Sequence, residues 1–195
     1  MPEKADIVII GGGVMGCAIA YNLAKEGLKP VVIEKSDIGG EASGSNGGGV
    51  RQSARNLKEM PLAMESIQIY GQLHEELGMD VEYVRKGNLR LCTNEEELET
   101  MRQAVINQRE VGLELTMLDR KQVLELNPYV GEKVIGASFC PTDGHVNPFL
   151  VTYAFFLKAK NLGARFYTHE EAREIRLQKS RVTAVVTDKH TFETD

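Results

Sequence analysis

The alternation of apolar and polar positions opens with Ile7–Ile10, an unbroken apolar run of the kind that forms a buried parallel strand. Apolar residues then recur at helical spacing through Val14, Ala18 and Leu23, and Gly27 stands where a left-handed residue closes a helix. Residues 31–33 form a second buried run that ends on Glu34. The pattern next predicts a helix over 61–77, with Pro61 in its first turn, a stripe of Leu62, Ile69, Leu73 and Leu77, and Gly78 as its stop. Over 81–93 the period falls to two around Arg85-Lys86-Gly87-Asn88, which predicts a hairpin. Asn94 caps a helix that runs to Gly112 and carries Glu95, Glu96 and Glu97 in its first turn. A strand is expected at 115–118, and Asp119 with Gln122 forms a capping box for a helix ending before Asn127-Pro128. Another strand is expected at 134–140. After the turn cluster PTDGHVNP, Asn147 caps a helix over 149–162 with Pro148 at its first position. A third parallel strand is expected at 164–168, then a hairpin (173–177 and 181–187) around Lys179-Ser180, and the opening of one more strand at 191–195.

The first strand, helix and second strand carry G-x-G-x-x-G at Gly11, Gly13 and Gly16. In a dinucleotide-binding βαβ unit the first glycine makes the tight turn. The second lets a pyrophosphate approach the backbone, and the third lets helix and strand pack closely. The helix N-terminus offers unpaired N–H groups and a partial positive charge to the phosphates. Glu34 follows at the spacing expected of a ribose-binding carboxylate, and its charge would repel the 2′-phosphate of NADP. Residues 36–49, SDIGGEASGSNGGG, hold six glycines and three serines directly after that strand end. Glycines there bring backbone amides close to a ligand, and Ser43, Ser45 and Asn46 add hydrogen-bonding groups. Between 81 and 140 no βαβ repeats, so that segment reads as an α+β insertion.

Composition narrows the alternatives. The net charge of −5, with Lys and Arg dispersed, gives no general attraction to nucleic acid or to an anionic membrane. Cys17, Cys92 and Cys140 are odd in number and far apart, which suits a reduced cytoplasmic protein better than a disulfide framework. None stands at C-x-x-C spacing, so no metal site is expected. The opening MPEKAD is not a signal peptide, and no stretch is apolar for long enough to span a bilayer. His74 and His145 read as structural residues, and there is no recognisable Ser/His/Asp set or paired-carboxylate motif.

GGGVMG, VVIEK, ASGSNGGGVRQ and PTDGHVNP, in this order, resemble the FAD-dependent amine oxidoreductases of the D-amino-acid oxidase type. That group includes glycine oxidase and sarcosine oxidase, and the likeness is greatest to β-subunits of sarcosine oxidase, L-proline dehydrogenase and hydrogen cyanide synthase. It runs from Ile7 to the end of the chain. The resemblance implies that Gly11, Gly13, Val14, Met15 and Gly16 hold the FAD pyrophosphate, that Glu34, followed by Lys35, meets the adenosine ribose, and that Ser43, Gly44, Asn46, Gly47 and Gly48 run along the flavin. It implies a backbone contact to adenine near Ala172, and a place for Arg51 over the isoalloxazine ring or against a substrate carboxylate. The fold class so implied is α/β: a Rossmann-like FAD-binding domain with a parallel sheet, interrupted by an α+β substrate domain, both incomplete at the C-terminus. The expected division is a first FAD-domain part over 1–80, a substrate-domain part over 81–145 and a second FAD-domain part over 146–195. The implied activity is FAD-dependent oxidation of an amine or amino acid such as glycine, sarcosine, a D-amino acid or a proline-like compound. A partner subunit or a second copy stays open as partner. Two rival readings also stay open: an NAD-dependent dehydrogenase using the same fingerprint, and a non-catalytic FAD-binding subunit or fragment.

Overall fold

The computed structural model describes residues 2–194. Among them the strands are β1 (Glu3–Lys4), β2 (Ile7–Ile10), β3 (Pro30–Ile33), β4 (Gly49–Val50), β5 (Asn88–Cys92), β6 (Thr116–Asp119), β7 (Gly136–Cys140), β8 (Gly144–His145), β9 (Arg165–Tyr167), β10 (Ala172–Gln178), β11 (Arg181–Thr187) and β12 (Thr191–Glu193). The helices are α1 (Val14–Lys25), α2 (Met60–Leu77), α3 (Glu95–Glu110), α4 (Arg120–Leu126) and α5 (Pro148–Asn161). They form two compact units, one from Met1–Gly47, Glu75–Val81 and Asn147–Asp195, the other from Gly48–His74 and Glu82–Val146.

The first unit is built on a parallel sheet of order β2-β3-β9. Central β3 is buried along its whole length. Val31 and Ile33, two apart, share the face that meets Val185 and Phe192, while Val32 points to the opposite face. That second layer is a four-stranded sheet of order β1-β12-β11-β10. The β10–β11 hairpin turns on Lys179 and Ser180, both at positive φ. α1 packs on α5, with the Tyr21 and Phe155 rings 5.7 Å apart. Glu76 joins the last turn of α2 to α1 by accepting from the Tyr21 hydroxyl at 2.8 Å and from Lys25 Nζ at 2.9 Å. β2 differs from the fully buried strand expected. It pairs only with β3 among the described strands, and Ile10 is 52% exposed.

The second unit holds the antiparallel sheet β5-β7-β6 and a two-stranded ladder of β4 with β8. Its core gathers Met60, Leu98, Met101, Val105, Leu113 and Leu115. The caps fall where local chemistry puts them: Asn94 accepts from the Glu97 amide, and Asp119 and Gln122 form a reciprocal box.

Four expectations are corrected here. The 81–93 hairpin does not form: Val84 bridges to His145 and β5 pairs with β7, because Glu82 at φ 57° and Gly87 at φ 87° turn the chain away from itself. The buried residues of α2 are Met60, Ile67, Leu73 and Leu77, whereas Leu62 is 75% exposed and Ile69 is exposed too. Leu62 faces an open cavity rather than the core. His74, read as a structural residue, has an exposed side chain and is not part of the core. Residues 48–74, read with the first FAD-domain part, fall in the second unit, where β4 pairs with β8 and Met60 enters the core.

Candidate functional site

In the first unit the three fingerprint glycines and Glu34 converge. Gly11 turns off β2 at φ 107°, and its amide bonds to the Ile33 carbonyl at 2.8 Å, so the turn is tied to the end of β3. A Cβ on Gly16 would overlap the Gly11 carbonyl oxygen, so only glycine lets α1 leave the turn at this angle. Glu34 is buried. Its Oε2 accepts from the Gly12 amide at 2.6 Å, and its Oε1 accepts from the Ser36 amide and hydroxyl at 2.8 and 3.1 Å. Burial pushes this carboxyl up, but the Gly12 and Ser36 donors and the Lys35 charge outweigh it and hold the group below its usual range. A carboxylate oxygen can accept two hydrogen bonds, so Oε2 keeps one position for a ribose hydroxyl. Beneath the turn, the Cys17 thiol is pushed up to about 12, by burial first and then by the Glu34 charge.

The glycine-rich loop is folded, not a free linker. The Gly39 amide bonds to the Gly12 carbonyl at 3.0 Å, and the Ser45 amide closes a turn on the Glu41 carbonyl at 3.2 Å. The Ser43 hydroxyl accepts from the Val14 amide at 2.9 Å, at the start of α1. Gly44 lies against α5, where a Cβ would come within 2.5 Å of the Phe149 ring. Asn46 turns its amide onto the Ser43 carbonyl at 2.7 Å, and Gly47 has open space around it. Lys35 is exposed and pairs with Glu41 of the loop at 3.0 Å. Of the four opening amides of α1, Val14 has Ser43 and Cys17 has the Gly13 carbonyl, while among the described residues Met15 and Gly16 have no acceptor. Two orphan amides at a helix N-terminus, a side-chain-free Gly13 and a carboxylate with a spare acceptor position fit the pyrophosphate and ribose of a dinucleotide. Ala172 opens β10 two residues after Glu170, whose amide bonds to the Glu34 carbonyl at 2.9 Å.

Gly48 and Arg51 belong to the second unit. Gly48, at φ 68°, accepts from the Val146 amide at 2.9 Å. Arg51 is exposed, donates from Nη1 to the Ser53 carbonyl at 2.9 Å, and lines a cavity of about 380 Å³ with Arg55, Glu59, Leu62 and Tyr70. Sequence reasoning missed the group behind it. Asp143 is fully buried and accepts from the Gln52 amide at 2.9 Å and from the Ser53 hydroxyl at 2.5 Å. T-D-G reads as a turn, and partners some 90 residues away leave no local mark. The cap supplied by Ser43 was missed for the same reason. Among the described residues, no three His, Cys, Asp or Glu side chains gather where they could hold a metal ion, and no helix is long and apolar enough to cross a membrane.

Comparison with known proteins agrees with this geometry. The family model described as FAD dependent oxidoreductase matches residues 6–195, so the chain belongs to that family. It is 30% identical over 197 residues to the mitochondrial pyruvate dehydrogenase phosphatase regulatory subunit of Mus musculus, covering 99% of this chain and 22% of that protein. The crystal structure of glycine oxidase from Bacillus cereus ATCC 14579 superposes with a TM-score of 0.90 at 36% identity, covering 98% of this chain and 53% of that one. The crystal structure of L-proline dehydrogenase from P. horikoshii gives 0.91 at 32% identity, with 100% and 52% covered. The chain thus spans about half the length of these two solved enzymes.

Proposed function

We propose that the first unit binds FAD for a protein that oxidises an amine or amino acid. Bound FAD would accept the hydride lost from the substrate α-carbon, and the resulting imine would hydrolyse in water. This chain's residues bind and orient. Met15 and Gly16 offer amides to the pyrophosphate, Glu34 takes the ribose, and the backbone near Ala172 meets the adenine. The loop from Ser43 through Gly44, Asn46 and Gly47 to Gly48 continues toward the flavin. Arg51, with its fixed charge, would stabilise negative charge on a bound flavin or hold a substrate carboxylate. The substrate class is inferred from the relatives, which include a glycine oxidase and a proline dehydrogenase.

The observation that carries the reading is Glu34, held ionised between Gly12 and Ser36 beside two orphan helix amides. The test is made on the full-length gene product. It should purify with a flavin spectrum, bind FAD more tightly than NADP, and bleach anaerobically with one of glycine, sarcosine, proline or a D-amino acid. Absence of flavin, or tighter NADP binding, would overturn the cofactor assignment. Bound flavin that no amine reduces would favour the second reading, a non-catalytic FAD-binding subunit. The similarity to a regulatory subunit along almost the whole chain supports that alternative.

A further inference from the structure

We infer that Asp143 is a positioning residue that sets the direction of the Arg51 guanidinium. The inference rests on the role proposed above for Arg51. The connection is a chain of hydrogen bonds inside the second unit. Asp143 Oδ1 accepts the Gln52 amide at 2.9 Å and the Ser53 amide at 3.4 Å, and Oδ2 accepts the Ser53 hydroxyl at 2.5 Å. Ser53 in turn offers its carbonyl to Arg51 Nη1 at 2.9 Å. The carboxylate therefore holds Ser53 by its amide and its hydroxyl, and Ser53 is the residue whose carbonyl receives the guanidinium.

Other groups lock the same turn. Ala54 sits at φ 55°, a left-handed position for a residue with a Cβ, and the Gln108 side chain accepts its amide at 3.0 Å. Asn88 Nδ2 donates to the Ser53 hydroxyl at 3.3 Å. Both Gln108 and Asp143 are buried, so the turn is held from inside while Arg51 is presented outward. A carboxylate sealed from water and given to backbone amides makes stronger, more directional bonds than a neutral group would. A fully buried Asp143 is costly unless its oxygens are hydrogen-bonded, and both are given to the buried Gln52–Ser53 turn, next to exposed Arg51. The side chain that bonds to this turn is Arg51, which lines the cavity.

The experiment is a double-mutant cycle on the full-length holoenzyme, reading flavin reduction in single-turnover mixing. Asp143→Asn keeps the volume and one acceptor but loses the charge. It should keep its FAD and slow reduction by on the order of tenfold through a misplaced guanidinium. In the Arg51→Ala background the same change should slow reduction no further, because its only route is gone. Ser53→Ala removes the hydroxyl bond alone and should show a smaller loss, again absent beside Arg51→Ala; it decides the matter if Asp143→Asn does not fold. Equal slowing in both backgrounds would make Asp143 merely structural and overturn the inference. Slow Arg51→Ala with Asp143→Asn and Ser53→Ala at wild-type rates would overturn it while leaving Arg51 its role. An Arg51→Ala variant at the wild-type rate would overturn the Arg51 reading itself, and this inference with it.

Discussion

The Ser43 hydroxyl accepts the Val14 amide at 2.9 Å, so α1 is capped by a residue 29 positions further along the chain. Its own N-cap, Gly13, has no side chain to do this. A cap from a distant loop does two things at once: it satisfies an opening amide and ties the glycine-rich loop to the fingerprint helix. Ser43→Ala should therefore lower stability by about 1 kcal/mol, the usual worth of an N-cap hydroxyl. Denaturant unfolding of the flavin-free full-length protein measures it. An unchanged midpoint would mean that water replaces the hydroxyl without loss.

The cysteines make a chemical prediction. Cys17, Cys92 and Cys140 are all buried, and burial is the main cause that raises each thiol. The thiolate is the reactive form, so at mildly alkaline pH none of the three should be alkylated by iodoacetamide in the folded protein. All three should label after unfolding in denaturant. Peptide mapping by mass spectrometry reads the outcome, and native labelling at Cys17 would show that the floor of the fingerprint turn opens.

Much of this was legible in the sequence because it is local. Asn94, the Asp119–Gln122 box and Asn147 with Pro148 each act within three residues, and each cap forms as the sequence predicts. Two of the three parallel strands were legible because unbroken apolar runs mark them, whereas the third, Arg165–Tyr167, opens on an arginine. What escaped is non-local. β1 pairs with β12 across nearly the whole chain, and β4 with β8 across roughly half of it, on strands of two or three residues, too short to show a period. The 81–93 segment has hairpin alternation, but it spends those edges on β7 and His145 instead. Asp143 belongs to the same class: its composition says turn, and only the fold shows what the turn encloses.

Two glycines of the candidate site should respond in opposite ways to the same substitution. A Cβ on Gly16 would overlap the Gly11 carbonyl oxygen and reach Ile9 Cγ2 at 3.4 Å, so the backbone itself must move. A Cβ on Gly47 meets nothing within 4 Å, and that residue is not among those at positive φ. Gly16→Ala should cost about 3 kcal/mol, at the upper end of overpacking penalties, and should strip the flavin because the helix amides shift. Gly47→Ala should stay within about 0.5 kcal/mol of the parent. Thermal unfolding and flavin content of the two variants decide, and equal behaviour would contradict the close approach of α1 to β2.

Glu34 should leave a signature in the pH dependence of stability. Its folded carboxyl is held below the ordinary value of 4.5 because the Gly12 and Ser36 donors and the Lys35 charge outweigh the burial that would raise it. Ionisation of this group therefore favours the folded state wherever the pH lies above the unfolded value. The contribution fades as the pH falls through the lower, folded value, and is absent once both states are protonated. Glu34→Gln removes the charge at every pH and sets an amide NH₂ against the Gly12 or the Ser36 amide, two donors facing each other. The variant should be less stable near neutrality by about 1–3 kcal/mol, the cost of an unsatisfied buried donor. The gap to the parent should stay level down to about pH 5 and then narrow on further acidification, since only the parent has a charge to lose. Other carboxylates titrate alike in both proteins and cancel in the difference. Melting temperatures of the flavin-free pair, followed from neutral to acidic pH, give the curve directly. A gap that is constant throughout, or that widens in acid, would mean that the carboxylate is not held ionised by the fingerprint turn.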